Sequence, residues 1–573
     1  MSARSASKKP AQAAAAPVTA SRSAHVLLSL ATLAVFARAL PYPLQISWDD
    51  GRLITDNPDV REVSLRSLQS IFGATHFQAY HPLHLLSYWL DVPWTGANPT
   101  VLHAVNLALW LIAVNLLLRV FTRLGLSNTA ATLAAMACAL HPVQVEVVSW
   151  ATARKDVLAL LFSAASLSQH LRSERGTDRH AWLARLFFVF AALSKTTALP
   201  LPAVMVACDA LLRGRSLRRA LAVQALALAL ALALGVQVTL IWSGENMLRP
   251  AAEAGPLLAR VAATYAHAIG TLFWPSAVSP LYPTRPVTYD APMVWLGCAA
   301  LLVGAILAYT SKARRAQFSL AAFALWMLPV SNVLPMYFLY QDRYLSLPLV
   351  GLSFGLGAAV DALRAQGARP GRVAGALAAL AVVALGVRSA QYEGAWRSEE
   401  RLWEHAVRAQ PAAYFAWMKL GEVRRKDGQL YGSIRAYQEM LRIDPLRRLG
   451  YAALLEVVAL RDEALRSLSP SHARALARQF HAALEDADAL RALAARMRRA
   501  GYARAWEVPM ARSLVVSPLP DNALEYNAAS EFNANRPLSA LFYLEHMREP
   551  TKRDELRERA EYAKRVRGDA PVF

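Results

Sequence analysis

Residues 25–51 read HVLLSLATLAVFARALPYPLQISWDDG. The first twenty are largely apolar, about the length an α-helix needs to cross the hydrocarbon of a bilayer. The run then passes through a Pro/Tyr segment and sets two carboxylates, Asp49 and Asp50, side by side. Ionised groups are costly at a membrane boundary, and where they occur they usually bind or react. The stretch sets two expectations, a membrane-spanning bundle and a site at one of its surfaces. Ala37-Arg38-Ala39 has the small-x-small shape of a signal-peptidase site. The segments that follow need an anchor here, so a retained first helix is expected.

Further apolar runs lie near 101–118, 129–142, 157–170, 182–197, 198–212, 220–242, 291–309, 317–335, 344–362 and 373–390. With the first run they make about eleven spans. Hydrophobic residues are 55% of the chain and charged residues 18%, and the apolar excess falls in these runs, as in a polytopic membrane protein. The net charge of +21 does not point to nucleic acid. Arg and Lys sit in short loops between the runs, with no basic-plus-aromatic reading surface. Cys138, Cys208 and Cys298 all lie inside apolar runs and have no zinc spacing, so they read as small core residues.

The loops alternate in charge. One set carries Arg119 and Arg123, then Arg172, Arg175 and Arg179, then Arg213, Arg215, Arg218 and Arg219, then Lys312, Arg314 and Arg315, then Arg364, Arg369 and Arg372. The positive-inside rule makes this set cytoplasmic. The other set holds Asp49, Asp50, His81, Glu146, Arg154, Asp156, Asp342 and Arg343. The N-terminus is then cytoplasmic and the C-terminal region lies outside. Residues 1–24, Ala/Ser-rich and without acids, read as a disordered basic tail. The segment 257–275 breaks the parity if it spans, so it reads as an outer-face or re-entrant helix. A Pro/Tyr-rich loop with Trp274-Pro275, Pro280, Tyr282 and Pro283 follows it.

From Gln391 the chain turns polar and helical. Residues 414–447 match a tetratricopeptide repeat through Trp417, Leu420-Gly421, Gly428, Ser433, Tyr437 and Pro445. The phase carries back to Trp403 and Pro411 and forward to Tyr451 and Leu454, then decays. Residues 524–545 read as another degenerate helical pair. A small stack of helix hairpins is expected, either with a concave face for a protein or peptide, or as a structural cap.

Four clusters on the outer side carry the candidate chemistry. Trp48-Asp49-Asp50-Gly51 offers a carboxylate base for an acceptor hydroxyl, although Asp-Asp-Gly is also a turn signal. Tyr80-His81-Pro82-Leu83 puts His81 where it can donate to a phosphate or sugar oxygen; the competing reading is an interfacial aromatic belt. His141-Pro142-Val143-Gln144-Val145-Glu146 leads to Arg154-Lys155-Asp156, with cations on the side where positive charge is disfavoured. That marks them for anion binding, unless Arg154 pairs with Asp156 or Glu146 to close the loop. Ser194-Lys195-Thr196-Thr197 and Gln341-Asp342-Arg343-Tyr344 each place a cation at the end of a span, as a phosphate clamp or as a snorkelling side chain. A fitting reaction is displacement of a polyprenyl phosphate from a sugar, with a base activating the acceptor and cations holding the leaving phosphate.

In these residues the chain resembles the transmembrane and tetratricopeptide-repeat O-mannosyltransferase-like family, within the GT-C class of polyprenyl-phosphate-sugar glycosyltransferases. The points of resemblance are Asp49-Asp50, Tyr80-His81-Pro82-Leu83, His141-Pro142 with Glu146, Arg154 and Asp156, Ser194-Lys195 and Trp274-Pro275. Asp342-Arg343-Tyr344-Leu345 leading to Leu347-Pro348 and the repeat domain complete them. The resemblance implies an all-α, GT-C-like bundle of about eleven helices over 25–390, with an extracytoplasmic helical-repeat domain over 391–573. It implies an inverting transfer of mannose or a similar hexose from a lipid-linked donor to a protein or glycan acceptor. Carried over, Asp49 or Asp50 is the base, and Arg154, Lys195 and Arg343 hold the donor phosphate. His81, His141, Glu146, Asp156 and Asp342 support them.

The chain departs from the family pattern at Thr196, where a glutamate is common, at Asp342 in place of glutamate, and at His81 in place of arginine. No cofactor is required. Asp49 with Asp156 or Glu146 offers hard-ion ligands, but the resemblance does not demand a metal and none is expected. The Arg/Ala-rich composition points to a bacterial inner membrane, with the repeat domain periplasmic and undecaprenyl as the lipid. Two other classes remain in view. A noncatalytic scaffold presenting repeats to periplasmic partners predicts that Asp49 and Asp50 are dispensable, and a lipid-sugar transporter predicts ionisable groups at mid-bilayer.

Overall fold

The structure, a computed structural model, describes residues 20–443 except 77–78, 175, 245–247, 250–253 and 285, with isolated positions beyond. Among the described residues it is a helical bundle, with no β-structure beyond isolated bridges at His76–Ala79 and Leu248–Met336. Helix α1, Arg22–Phe36, starts where the Ser21 hydroxyl accepts the Ala24 N–H at 3.2 Å. It stops short of the apolar run because Pro41 and Pro43 cannot continue a helix, and a 3₁₀ turn over Ala37–Ala39 leads out of it. The basic tail expected over 1–24 lies mostly outside the described residues, and its last three positions are already helical.

Every expected span has a helix at its position. After α1 come α2 (Pro99–Arg123), α3 (Asn128–Ala139), α4 (Val143–Ser149), α5 (Arg154–Arg172), α6 (Arg179–Ser194), α7 (Leu201–Leu211) and α8 (Leu217–Gly244). Then follow α9 (Leu257–Phe273), α10 (Pro292–Thr310), α11 (Arg314–Met327), α12 (Ser346–Ala365) and α13 (Ala368–Glu393). Among the described residues five stretches are long and apolar enough to cross a membrane: Pro99–Arg123, Leu217–Gly244, Pro292–Thr310, Asp342–Ala365 and Ala368–Arg397. The pair α3–α4 makes a sixth if its 69° bend is one broken span. The bend falls at His141-Pro142, where proline removes an intrahelical N–H. Helix α9, expected as an outer-face or re-entrant element, is a 17-residue apolar helix, below the length of the spanning set.

The apolar sequence is used in two ways. Only 11% of the spanning windows of α8 and of α10 is buried in the protein, so their leucines face the bilayer. By contrast α12 is 67% buried. It approaches its neighbours through glycine: a Cβ on Gly351 would lie 2.7 Å from the Phe323 backbone nitrogen. Close backbone packing of this kind holds helices together where lipid competes for every apolar side chain.

The bundle has two chemically distinct ends. Arg154 to Arg172 spans about 27 Å of helix. At the Arg172 end, Arg123 donates to the Ser168 carbonyl at 3.2 Å, and Asp209 accepts from Arg213 (3.1 Å) and Arg215 (3.0 Å) and contacts His170. The arginines of the basic loops thus fasten that end, while Asp49, Asp50, Glu146, Asp156 and Lys195 lie toward the other.

The chain divides into two compact units, Met1–Ala413 and Tyr414–Phe573. Helix α14, Glu399–Ala409, is therefore part of the first unit, although the sequence turns polar from Gln391. In the second unit α15 (Tyr414–Lys426) and α16 (Leu430–Ile443) form a helix hairpin. Gly428 turns the corner with φ +73°, the Ser433 hydroxyl donates to the Gly421 carbonyl at 2.6 Å, and the Tyr437 ring lies where a Gly421 side chain would be. These two helices cover the described part of the stretch read as a repeat over 414–447; residues 444–447 lie outside the described residues. The continuation at Tyr451 and Leu454 lies outside the described residues, as does most of 524–545.

Candidate active site

The two adjacent aspartates have different environments. Asp50 is fully buried. Its Oδ1 accepts the Thr152 N–H at 2.9 Å and the Thr152 hydroxyl, and its Oδ2 accepts the Gln45 N–H at 2.7 Å. Burial nevertheless pushes its pKa up to about 7 against the pull of these donors. Asp50 therefore ties the loop before it to the 3₁₀ turn Ala151–Ala153, and it has no surface for an acceptor. Asp49 keeps 13% of its side-chain surface and stands 4.0 Å from the Lys155 Nζ. Of the pair proposed from sequence, Asp49 is the one that keeps some side-chain surface.

Arg154 does not fit the phosphate role expected of it. It is fully buried, and its five N–H groups are all engaged. Nε donates to Asn106 Oδ1 at 2.6 Å; Nη1 donates to the Ser87 carbonyl at 3.2 Å and to Asp91 Oδ1 at 3.1 Å; Nη2 donates to Asp91 Oδ2 and to the Leu102 carbonyl at 3.3 Å. The Tyr88 ring packs 4.5 Å from the guanidinium. The alternative partners read from sequence, Asp156 and Glu146, are not its partners either. Arg154 is a buried anchor, paired with Asp91, that fixes the start of α5.

The remaining cations converge. Lys155, the next residue of α5, is within electrostatic reach of Asp49, Asp156, Glu146 and Arg343. Lys195 leaves α6 in extended conformation, donates to Asp156 Oδ1, and has the Tyr344 ring 5.7 Å from its Nζ. Arg343 donates to Glu146 from its Nη1 and, at 3.2 Å, from its backbone nitrogen. Its guanidinium lies 5.1 Å from the Trp150 ring and 5.5 Å from that of Trp48. Three acids (Asp49, Glu146, Asp156) thus face three cations (Lys155, Lys195, Arg343) from five parts of the chain. Lys195 and Arg343 each hold a close carboxylate partner, whereas Lys155 meets its partner only at 4.0 Å.

His81 begins the short helix Pro82–Ser87 and makes no capping bond with its side chain. Burial and the nearby Lys155 and Lys195 charges push its pKa down to about 3, so it is a neutral imidazole with one N–H to donate. His141 has both ring nitrogens occupied. One lies 3.0 Å from the Leu272 carbonyl, and the other accepts the Val143 N–H at 3.2 Å. It serves the α3–α4 bend and not the cluster. Asp342 is also turned away, accepting the Ser279 N–H at 2.8 Å and the Tyr282 hydroxyl at 2.6 Å.

Helix α14 braces the loop that carries Asp49. Glu399 accepts the Ser47 N–H, and the Trp403 indole donates to the Ser47 hydroxyl at 3.2 Å. Trp48 stacks on Trp150 at 4.3 Å and lies 5.2 Å from Trp403. The same helix reaches the 277–279 loop, where His405 meets the Val278 carbonyl at 2.9 Å. The sequence reading missed Asp91 and this brace. Asn106 within an apolar run was the one local hint of the first. Among the described residues no group of three or more His, Cys, Asp or Glu is arranged to hold a metal ion.

No family model matches the chain. It is 34% identical to mouse protein O-mannosyl-transferase TMTC1 over 139 residues, which is 22% of this chain and 15% of that protein. It is 24% identical to human protein O-mannosyl-transferase TMTC4 over 495 residues, 72% of this chain and 65% of the relative. The chain thus spans less than two thirds of the length of these relatives. Among solved structures it is similar to ArnT from Cupriavidus metallidurans bound to undecaprenyl phosphate, with a TM-score of 0.36 and 15% identity over 78% of this chain and 81% of that one. It is also similar to the Archaeoglobus fulgidus oligosaccharyltransferase tethered to an acceptor peptide, with a TM-score of 0.39 and 14% identity over 72% and 58%. TM-scores of this size do not define a shared fold.

Proposed function

We propose, from the premise that the chain is a TMTC-like membrane protein, that it is a GT-C-type glycosyltransferase. It takes a hexose, mannose or a close relative, from a polyprenyl-phosphate donor and passes it to a hydroxyl of a protein or glycan on the extracytoplasmic side of a bacterial inner membrane. The observation that carries the reading is the meeting of Asp49, largely buried but with 13% of its side-chain surface accessible, with Lys155, Lys195 and Arg343 in one charged cluster.

The acceptor oxygen attacks the anomeric carbon of the sugar while Asp49 takes the hydroxyl proton. The bond between that carbon and the phosphate oxygen breaks, and its electron pair leaves with the polyprenyl phosphate. Lys155, Lys195 and Arg343 stabilise the charge that develops on the phosphate. Lys155, least tightly paired of the three, takes the phosphate at least cost in existing ion pairs. A single displacement of this kind inverts the anomeric configuration. Neutral His81 donates its N–H to a phosphate or sugar oxygen, and Glu146 and Asp156 hold Arg343 and Lys195 in place. Asp50 and Arg154 shape the loop and the start of α5 around the site. The second unit, with its tetratricopeptide-type hairpin, holds the acceptor.

The test is incubation of purified protein in lipid with radiolabelled polyprenyl-phosphate hexoses and hydroxyl-bearing acceptor peptides. Wild type forms glycosylated product and Asp49→Asn, with an unchanged melting temperature, does not. Equal turnover by Asp49→Asn removes the base, and no turnover by wild type with any donor favours the scaffold reading.

A further inference from the structure

Asp156 is 3% exposed, and its two oxygens are treated differently. Oδ1 accepts from the Lys195 ammonium. Oδ2 is buried and meets no hydrogen-bond donor among the described residues. A buried carboxylate oxygen without a donor is unfavourable, and folded proteins rarely keep one without a use for it. Nor is the position remote, because Asp156 lies within electrostatic reach of Lys155, Lys195 and Arg343. The oxygen is therefore an acceptor held inside a cluster of cations, in need of a neutral donor.

We propose that Asp156 Oδ2 accepts a hydrogen bond from a hydroxyl of the donor sugar, which makes Asp156 the residue that recognises the hexose. The inference rests on the transferase reading. A sugar joined to a phosphate held by Lys155, Lys195 and Arg343 lies one bond from that phosphate. Its ring hydroxyls then come beside Asp156, the carboxylate bound to Lys195. Asp49 faces Lys155 from its own loop and serves the acceptor, so the two carboxylates divide the work. A hydroxyl suits Oδ2 because it is neutral, and it satisfies the acceptor without disturbing the Lys195 pair. Sites that hydrogen-bond a substrate hydroxyl through buried groups reject analogues lacking it far more strongly than apolar pockets reject a missing methylene.

The experiment is a coupling cycle between enzyme and substrate, using the full chain in lipid. Polyprenyl-phosphate hexose and its monodeoxy analogues are compared as donors for wild type, Asp156→Asn and Asp156→Ala, with melting temperatures measured for each. In wild type, one deoxy position should lower kcat/KM by about 100-fold or more. In Asp156→Ala that penalty should shrink to within a few-fold, since the partner of the hydroxyl is already gone. If Asp156→Ala fails to fold, Asp156→Asn keeps an oxygen for Lys195 and should still cut the penalty at least tenfold, because the charged acceptor is lost. Equal use of every deoxy donor by wild type overturns the proposal. So does a penalty that persists undiminished in a folded Asp156 variant, or a variant whose defect is confined to the acceptor KM. Wild type inactive with the intact hexose donors would instead sink the transferase reading, and this inference with it.

Discussion

Replacing Asp91 by alanine removes the one carboxylate that, among the described residues, bonds the fully buried Arg154 guanidinium. Arg154 would keep its bonds to Asn106, Ser87 and Leu102 but lose both to Asp91. Leaving one partner of a buried ion pair uncompensated costs about 3–5 kcal/mol. Asp91→Asn retains one acceptor oxygen, so roughly half that loss is expected. The double substitution Asp91→Leu with Arg154→Met removes both charges together and should recover most of the stability, because the desolvation cost of the pair disappears with it. Reversible unfolding in mixed detergent micelles, followed by tryptophan fluorescence, measures wild type, these three variants and Arg154→Met. The reasoning fails if Asp91→Ala is within about 0.5 kcal/mol of wild type, a loss typical of surface sites. It also fails if Arg154→Met folds with full stability and loses donor affinity, which would return Arg154 to the phosphate.

Asp50 gives a pH signature. Its carboxyl is raised from 3.8 to about 7 in the folded protein, so the folded state holds a proton that the unfolded state has released. Its contribution is fully present below the unfolded value and is lost as pH rises toward 7. Asp50→Asn should flatten the stability profile across that window, and parallel profiles for the two proteins would contradict this. Lys155→Met should lower kcat/KM for the donor by about 100-fold, the size of one lost charge-stabilising donor, with partial return in Lys155→Arg. An unchanged donor KM and kcat would exclude Lys155 from the site. Trp403→Phe removes the indole bond to Ser47. Because small misplacements of a catalytic group are costly, kcat should fall about tenfold while the donor KM holds. A raised KM at constant kcat would show that Trp403 serves binding instead.

The helices were legible because apolar runs bounded by proline, glycine and arginine leave a chain few alternatives in a bilayer. Their lengths were less so. Pro41 and Pro43 cut the first helix short, and Pro142 breaks the third run, yet the expected spans ran through or up to these positions. Residue types at the site were visible, but pairings were not. Glu146 and Arg343 are 197 positions apart, and Arg154 meets Asp91 across 63, distances at which no local pattern operates. Adjacent Asp49 and Asp50 are equivalent as letters. They separate only when Thr152, 102 positions on, claims Asp50. The repeat motif located the α15–α16 hairpin because its glycine and tyrosine spacing encodes a contact within one hairpin. It did not reveal that the helix before it, α14, helps to build the wall behind Asp49.

The central claim is that one charged cluster binds a lipid-linked sugar phosphate with Asp49 on the acceptor side. The most direct measurement is an experimental structure of the full chain in lipid with a non-hydrolysable polyprenyl-phosphonate hexose. The account predicts phosphonate density in contact with Lys155 and at least one of Lys195 and Arg343, with the sugar between Asp49 and Asp156. Density for the head group at the Arg154–Asp91 pair, or at the arginine-rich end of the bundle, would contradict it.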